Sequence, residues 1–144
     1  VANEKLKKLS SFLLNLPIKV KSIIISDKQL YDLIIKANLD QLKQGQRADG
    51  SELPRYSDTS VRVYNKTAGA IKLYDTGDFY KGIRIEVKNS TETTIKLVGT
   101  DDKTEMLQNE YGKEIIGISL ANLTEIEQNY IKNKITDLIK NLEI

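Results

Sequence analysis

The chain has 144 residues, enough for one domain with its own core. Its 40% hydrophobic and 29% charged residues are the composition of a soluble globular protein. It has no cysteine and no histidine, which excludes disulfide frameworks, thiolate nucleophiles, Ser-His-Asp and Cys-His catalysis, and the commonest metal ligand. A formal net charge of +2 is too small to argue for nucleic acid by itself.

Residues 3–16 are expected to form a short helix, because Leu6, Leu9, Leu13 and Leu16 recur at three- and four-residue spacing. Pro17 ends it, since proline disfavours helical backbone in the residue before it. This end is locally basic, with Lys5, Lys7, Lys8, Lys19 and Lys21 facing only Glu4; it reads as a solvated face, or as a contact for an acidic partner or DNA. The opening Val1-Ala2-Asn3-Glu4 does not resemble a signal peptide, and no stretch is long and apolar enough to span a membrane. The expectation is a soluble chain, intracellular at synthesis. Residues 20–25 fit either a short strand or a connection between helices.

Asp27 reads as a helix N-cap, its carboxylate accepting free amide protons of the first turn. Leu30, Leu33, Ile34 and Ala37 make an apolar stripe, Leu42 continues it on an adjoining edge, and Gly45 is a natural C-cap. A helix is therefore predicted over 28–44. Residues 45–70 are mostly punctuation: a turn at Asp49-Gly50-Ser51, an interruption at Pro54, and a polar run Tyr56-Ser57-Asp58-Thr59 in which Ser57 or Asp58 caps a short helical turn through 59–65.

From residue 71 the period changes to two. Ile83, Ile85 and Val87 alternate with Arg84, Glu86 and Lys88, and 94–98 repeats the pattern, which predicts an antiparallel hairpin with one wet face. Residues 71–74 are a candidate third strand. Asp101-Asp102 reads as a solvated turn rather than a metal site. A short amphipathic helix over 103–111 closes at Gly112. The apolar segment 115–118 then leads into a long terminal helix over 122–142, with capping boxes at Asn122 or Thr124 and an apolar face of Ile126, Tyr130, Ile131, Ile135, Leu138, Ile139 and Leu142. That helix is expected to pack across the sheet.

Asp75-Thr76-Gly77 admits two incompatible readings. An aspartic protease places such a tripeptide after a hydrophobic strand and backs it with a hydrophobic-hydrophobic-Gly segment, which Ile115-Ile116-Gly117 imitates. It needs two carboxylates sharing one proton, so a short chain would have to dimerise through Asp75. Against this, Asp78 would add like charge beside the dyad, and strong helices at both ends do not suit an all-strand protease. In the structural reading, Asp75 or Thr76 caps a short helix over 78–81, Gly77 relieves the tight backbone, and Phe79 anchors the turn in the core.

Several segments, taken in order, resemble the virion morphogenesis or tail-completion (head-tail joining) proteins of tailed bacteriophages. A helix ends in Gln41-Leu42-Lys43-Gln44-Gly45 before a turn at Asp49-Gly50. A loop carries Tyr56-Ser57-Asp58-Thr59-Ser60. Then come Asp75-Thr76-Gly77 with Phe79, the hairpin over 83–98, a short helix ending at Gly112, and the apolar approach Ile116-Gly117-Ile118-Ser119-Leu120 to a long helix. The resemblance spans roughly 28–142. Many members carry His before the glycine where this chain has Tyr111, and Arg-Pro where it has Lys113-Glu114.

The resemblance implies a non-enzymatic structural role at the head-tail junction or tail terminus, with no cofactor. It implies partners in a ring of identical subunits, possibly a hexamer, and in other neck or tail proteins, and a location in the virion after assembly in the host cytoplasm. The fold class expected is α+β in a single domain over 1–144: 1–26 as N-terminal helix and connection, 27–144 as the family-like core. In it a small, mostly antiparallel sheet is packed by two long helices, with a long central loop. The alternative function is a small binding or adaptor module for a protein or nucleic acid, the latter less favoured because arginines are few and tyrosines scattered.

Overall fold

The computed structural model describes residues 23–57, 62–63, 69–74, 76–89 and 93–142. The helix expected over 3–16, most of the turn expected over 59–65, and the residues Asp58, Thr59 and Asp75 lie outside the described residues.

Residues 23–25 form a helical turn rather than a strand, and Ile24 is buried. Helix α1 (Lys28–Lys43) follows directly. Its N-cap is Asp27, whose Oδ1 accepts from the amides of Gln29 (3.0 Å) and Leu30 (3.3 Å). Its C-cap is Gln44, and Gly45 turns the chain out of the helix at φ 70°. A Cβ built on Gly45 would lie 2.4 Å from the Cβ of Ala70, so backbone conformation and close packing both select glycine there. The buried face of α1 comprises Leu30, Ile34, Asn38, Gln41 and Leu42.

The chain after α1 is tied down more than its composition predicts. Gln46 and Glu52 form an isolated antiparallel bridge, Leu53 donates its amide to the Gly45 carbonyl (2.7 Å), and Leu53 is buried. Arg55 bridges Ala70, and the amide of Ile71 donates to the Pro54 carbonyl (2.7 Å). Residues 71–74 are not a strand. Leu73 has φ 56°, which no extended ladder accommodates.

Helix α2 (Asp78–Lys81) leads into β1 (Ile83–Asn89), which pairs antiparallel with β2 (Thr93–Gly99) from Ile83↔Gly99 to Asn89↔Thr93. Ile83, Ile95 and Leu97 of the inner face are buried, whereas Arg84, Lys88 and Lys96 of the outer face are exposed. Helix α3 (Thr104–Tyr111) and a 3-10 turn (Lys113–Ile115) follow.

The terminal helix has three parts: α4 (Leu120–Ile126), a π-turn (Glu127–Ile131) and α5 (Lys132–Leu142). It begins before the predicted caps. Ser119 is the N-cap, its hydroxyl accepting from the Asn122 amide (3.2 Å). The π-turn inserts one residue, so Ile126 and Ile131, five apart, are both buried. Tyr130 is thereby turned towards α1, where its hydroxyl donates to Asp27 Oδ2 (2.6 Å).

The fold is α+β: among the described residues a two-stranded antiparallel sheet is accompanied mainly by helices. Helix α1 lies centrally, packing on β1 and on α4. The core joins Leu30, Ile34 and Leu42 of α1 to Phe79, Ile83, Leu97, Ile115, Ile118, Leu123 and Ile131. Each fully buried aliphatic side chain contributes about 1.5–3 kcal/mol. Among the described residues no helix is long and apolar enough to cross a membrane.

Candidate functional site

The Gln-rich end of α1, the turn at Asp49-Gly50, the end of α3 at Gly112 and the segment through Gly117 meet at the C-terminal half of α1. Asn38 and Gln41 occupy core-facing positions and are buried. Asn38 Nδ2 donates to the Ile115 carbonyl (3.0 Å), and its Oδ1 accepts from the Gly117 amide (3.1 Å). Gln41 Nε2 donates to the Gly117 carbonyl (3.0 Å). Its Oε1 accepts from the Ser119 amide (2.7 Å) and from Asn122 Nδ2 (2.8 Å). Two carboxamides thus satisfy the backbone of the irregular segment before α4, which would otherwise be buried without partners. This explains how Ile115-Ile116-Gly117, the end of a 3-10 turn and a bend, can cross the core outside any sheet.

Arg47 extends this joint. Its Nε donates to the Tyr111 carbonyl at the end of α3 (2.7 Å), and its Nη1 donates to the Glu52 carbonyl (2.6 Å) and to Ser51 Oγ (3.3 Å). A cation at a helix C-terminus is favoured by the helix dipole and satisfies an otherwise free carbonyl. The Ala48 amide donates to the Glu114 carbonyl (2.9 Å) beside it. The turn at Asp49-Gly50 is closed by Asp49 Oδ1, which accepts from the Ser51 hydroxyl (2.6 Å) and amide (2.9 Å). These hydrogen bonds, the hydroxyl's first, hold the Asp49 carboxyl below its usual range.

The Asp-Thr-Gly region builds a different surface. Gly77 has φ 87° and precedes α2, as the structural reading expects. Thr76 Oγ1 makes only a long contact with the Asp78 amide (3.4 Å), so the predicted side-chain cap from Thr76 is weak, and Asp75 lies outside the described residues. Phe79 is buried, as expected of a core anchor. Tyr80 stacks edge-on with Tyr74 (centroids 5.1 Å apart), and its hydroxyl donates to the Lys72 carbonyl. Burial, followed by the neighbouring Tyr56 and Tyr74, pushes the Tyr80 phenol up to about 12. Tyr56, Leu73, Tyr74, Met106, Leu107 and Tyr111 line a groove of roughly 340 Å³ here, at whose mouth Tyr74 and Met106 are more than half exposed.

The predicted site residues therefore divide into two sets. Gly45, Asp49, Gly50, Gly112 and Gly117 lie at or beside the amide joint. Tyr56, Thr76, Gly77 and Phe79 line the tyrosine groove. Ser57 is exposed at the limit of the described loop, and Thr59 lies beyond it. Arg47 and the joint role of Asn38 and Gln41 are not predicted. For Asn38 and Gln41 the signal was the register 30, 34, 38, 41, which places two carboxamides on the core stripe. Among the described residues no group of three or more acidic side chains is placed to hold a metal ion. No protein-family profile, curated protein or solved structure matches this chain.

Proposed function

We propose that this chain is a non-enzymatic structural protein of a tailed phage, a tail-completion or neck component that joins head and tail through a ring of identical subunits. The observation that carries the reading is the amide joint. The stretch holding the Gln-rich end of α1 and the Asp49-Gly50 turn is more than sixty residues from the stretch holding the Gly112 helix end and the Gly117 segment, yet Asn38, Gln41 and Arg47 bind the two into one scaffold. A shared ring-subunit scaffold accounts for their order and spacing along the chain.

The same joint weighs against the protease reading. In that reading the hydrophobic-hydrophobic-Gly segment supports the Asp-Thr-Gly loop. Here the Ile115 carbonyl and both polar groups of Gly117 are committed to α1. The exposed aromatic groove suits contact rather than turnover, because apolar side chains offered to solvent gain most by being covered. A ring uses a heterologous interface, in which one patch meets a different patch on the next copy. Sedimentation velocity over a wide concentration range, alone and with a tail-tube protein, tests the reading. It predicts a discrete oligomer of fixed size; a strict monomer under every condition contradicts it.

A further inference from the structure

A ring of one chain needs two different surfaces that fit each other, and the described surface carries a complementary pair. The first is the outer face of the β1–β2 hairpin. On it Arg84 lies opposite Val98, Glu86 opposite Lys96, and Lys88 opposite Thr94. Arg84, Lys88 and Lys96 are exposed and outnumber Glu86, which Lys88 approaches to 3.6 Å. This face is basic with an apolar spot at Val98.

The second is the outer face of α3. Asp102, Glu105, Met106, Asn109 and Glu110 recur at helical spacing, are all exposed, and line one surface concavity. Met106 is 56% exposed at its centre. An exposed apolar side chain ringed by charge has the anatomy of an interface core and rim, and methionine adapts readily to a partner's contour. Among the described residues Asp102, Glu105 and Glu110 form no ion pair with the hairpin cations of their own chain.

We propose that the Met106-centred face of α3 in one copy docks on the outer hairpin face of the next copy. Met106 covers the apolar spot at Val98, while Asp102, Glu105 and Glu110 face Arg84, Lys88 and Lys96. This rests on the ring-subunit reading and names its contact surfaces. Charge complementarity commits the occupant: each face would repel a second copy of itself and attract the other, so the contact is head-to-tail and propagates.

The test is a charge exchange followed by sedimentation velocity, with circular dichroism to verify that each variant is folded. R84E/K96E makes the hairpin acidic and D102K/E105K makes α3 basic. Each variant alone should self-associate at least about tenfold more weakly than the unmodified chain, since like charges are juxtaposed. An equimolar mixture of the two should regain assembly in strict alternation, and a chain carrying all four substitutions should regain it alone. If the charge reversals prove poorly folded, K96Q and E105Q with a salt titration give the same readout: weaker assembly, and dissociation of the unmodified oligomer as salt rises. Assembly of the unmodified chain that neither reversal nor salt alters overturns this contact and leaves the ring reading standing. An unmodified chain that never assembles overturns both.

Discussion

Two buried polar sites in this molecule have opposite consequences. At the joint beneath α1, Asn38 and Gln41 bury carboxamides whose oxygens and nitrogens all meet backbone or Asn122. At the start of α3, Thr104 is buried against Gly99 and Ile116, and its hydroxyl has no partner. Residue polarity is similar at the two sites; satisfaction differs. A buried polar group stabilises only where its partners are in place and otherwise carries its desolvation cost. The joint therefore specifies how the irregular segment 112–119 crosses the core, while the Thr104 contact is held by shape.

The largest effect is expected at the joint. Gln41→Leu keeps the volume but strands the Gly117 carbonyl, the Ser119 amide and the Asn122 side chain. Chemical denaturation should register a loss of about 3–5 kcal/mol. A loss below about 1 kcal/mol would mean the segment rebonds elsewhere and the contrast is false.

Gly99→Ala sharpens the other side of the comparison. Its Cβ would lie 2.5 Å from Thr104 Cγ2 and 2.9 Å from Ile116 Cδ1. Overpacking a junction held by shape should lower stability by about 1–3 kcal/mol in thermal or urea unfolding, and a neutral result would mean the junction is loose.

Alkaline titration probes the clasp between α1 and the terminal helix. Burial, then the hydrogen bond and charge of Asp27, push the Tyr130 phenol up to about 12, and Tyr80 reaches about 12 through burial. These pKa values are raised above the unfolded value of 10.0, so the neutral phenols favour the folded state. Their contribution is fully present below pH 10 and is lost as pH rises to about 12. Unfolding measured across that window should show falling stability, with a smaller fall in Tyr130→Phe. An unchanged slope in that variant would detach Tyr130 from the effect.

The smallest effect has the opposite sign. Thr104→Val removes the unpartnered hydroxyl at nearly constant shape and should raise stability by about 1 kcal/mol. Destabilisation would show that the hydroxyl is satisfied after all.

Regular elements were readable wherever one local rule dominated. Asp27 and Gly45 bracket α1 because capping and positive φ are local chemistry. Strict alternation over 83–88 places the hairpin and its wet face. The terminal helix was legible as an apolar stripe, but adjacent Tyr130 and Ile131 on that stripe also carried the signature of the π-turn: the spacing from Ile126 is one residue too long for a regular helix. The start of that helix rests on a local serine cap at Ser119, which competes in the sequence with the capping boxes at Asn122 and Thr124. The non-strand path of 71–74 depends on the left-handed backbone of Leu73, which no local pattern carries. Of the candidate site, the glycine turns were legible. Arg47 was not, because its partners at Tyr111 and Glu52 are set by how the chain returns past α1.

Imaging the purified chain by electron microscopy, alone and with a tail-tube protein, tests the assembly role most directly. The account predicts closed rings of one subunit number, and catalysis-free behaviour that Asp75→Asn leaves unchanged. Isolated monomers in every field would contradict it, and so would two-fold dimers with a peptide-cleaving activity that the same substitution abolishes.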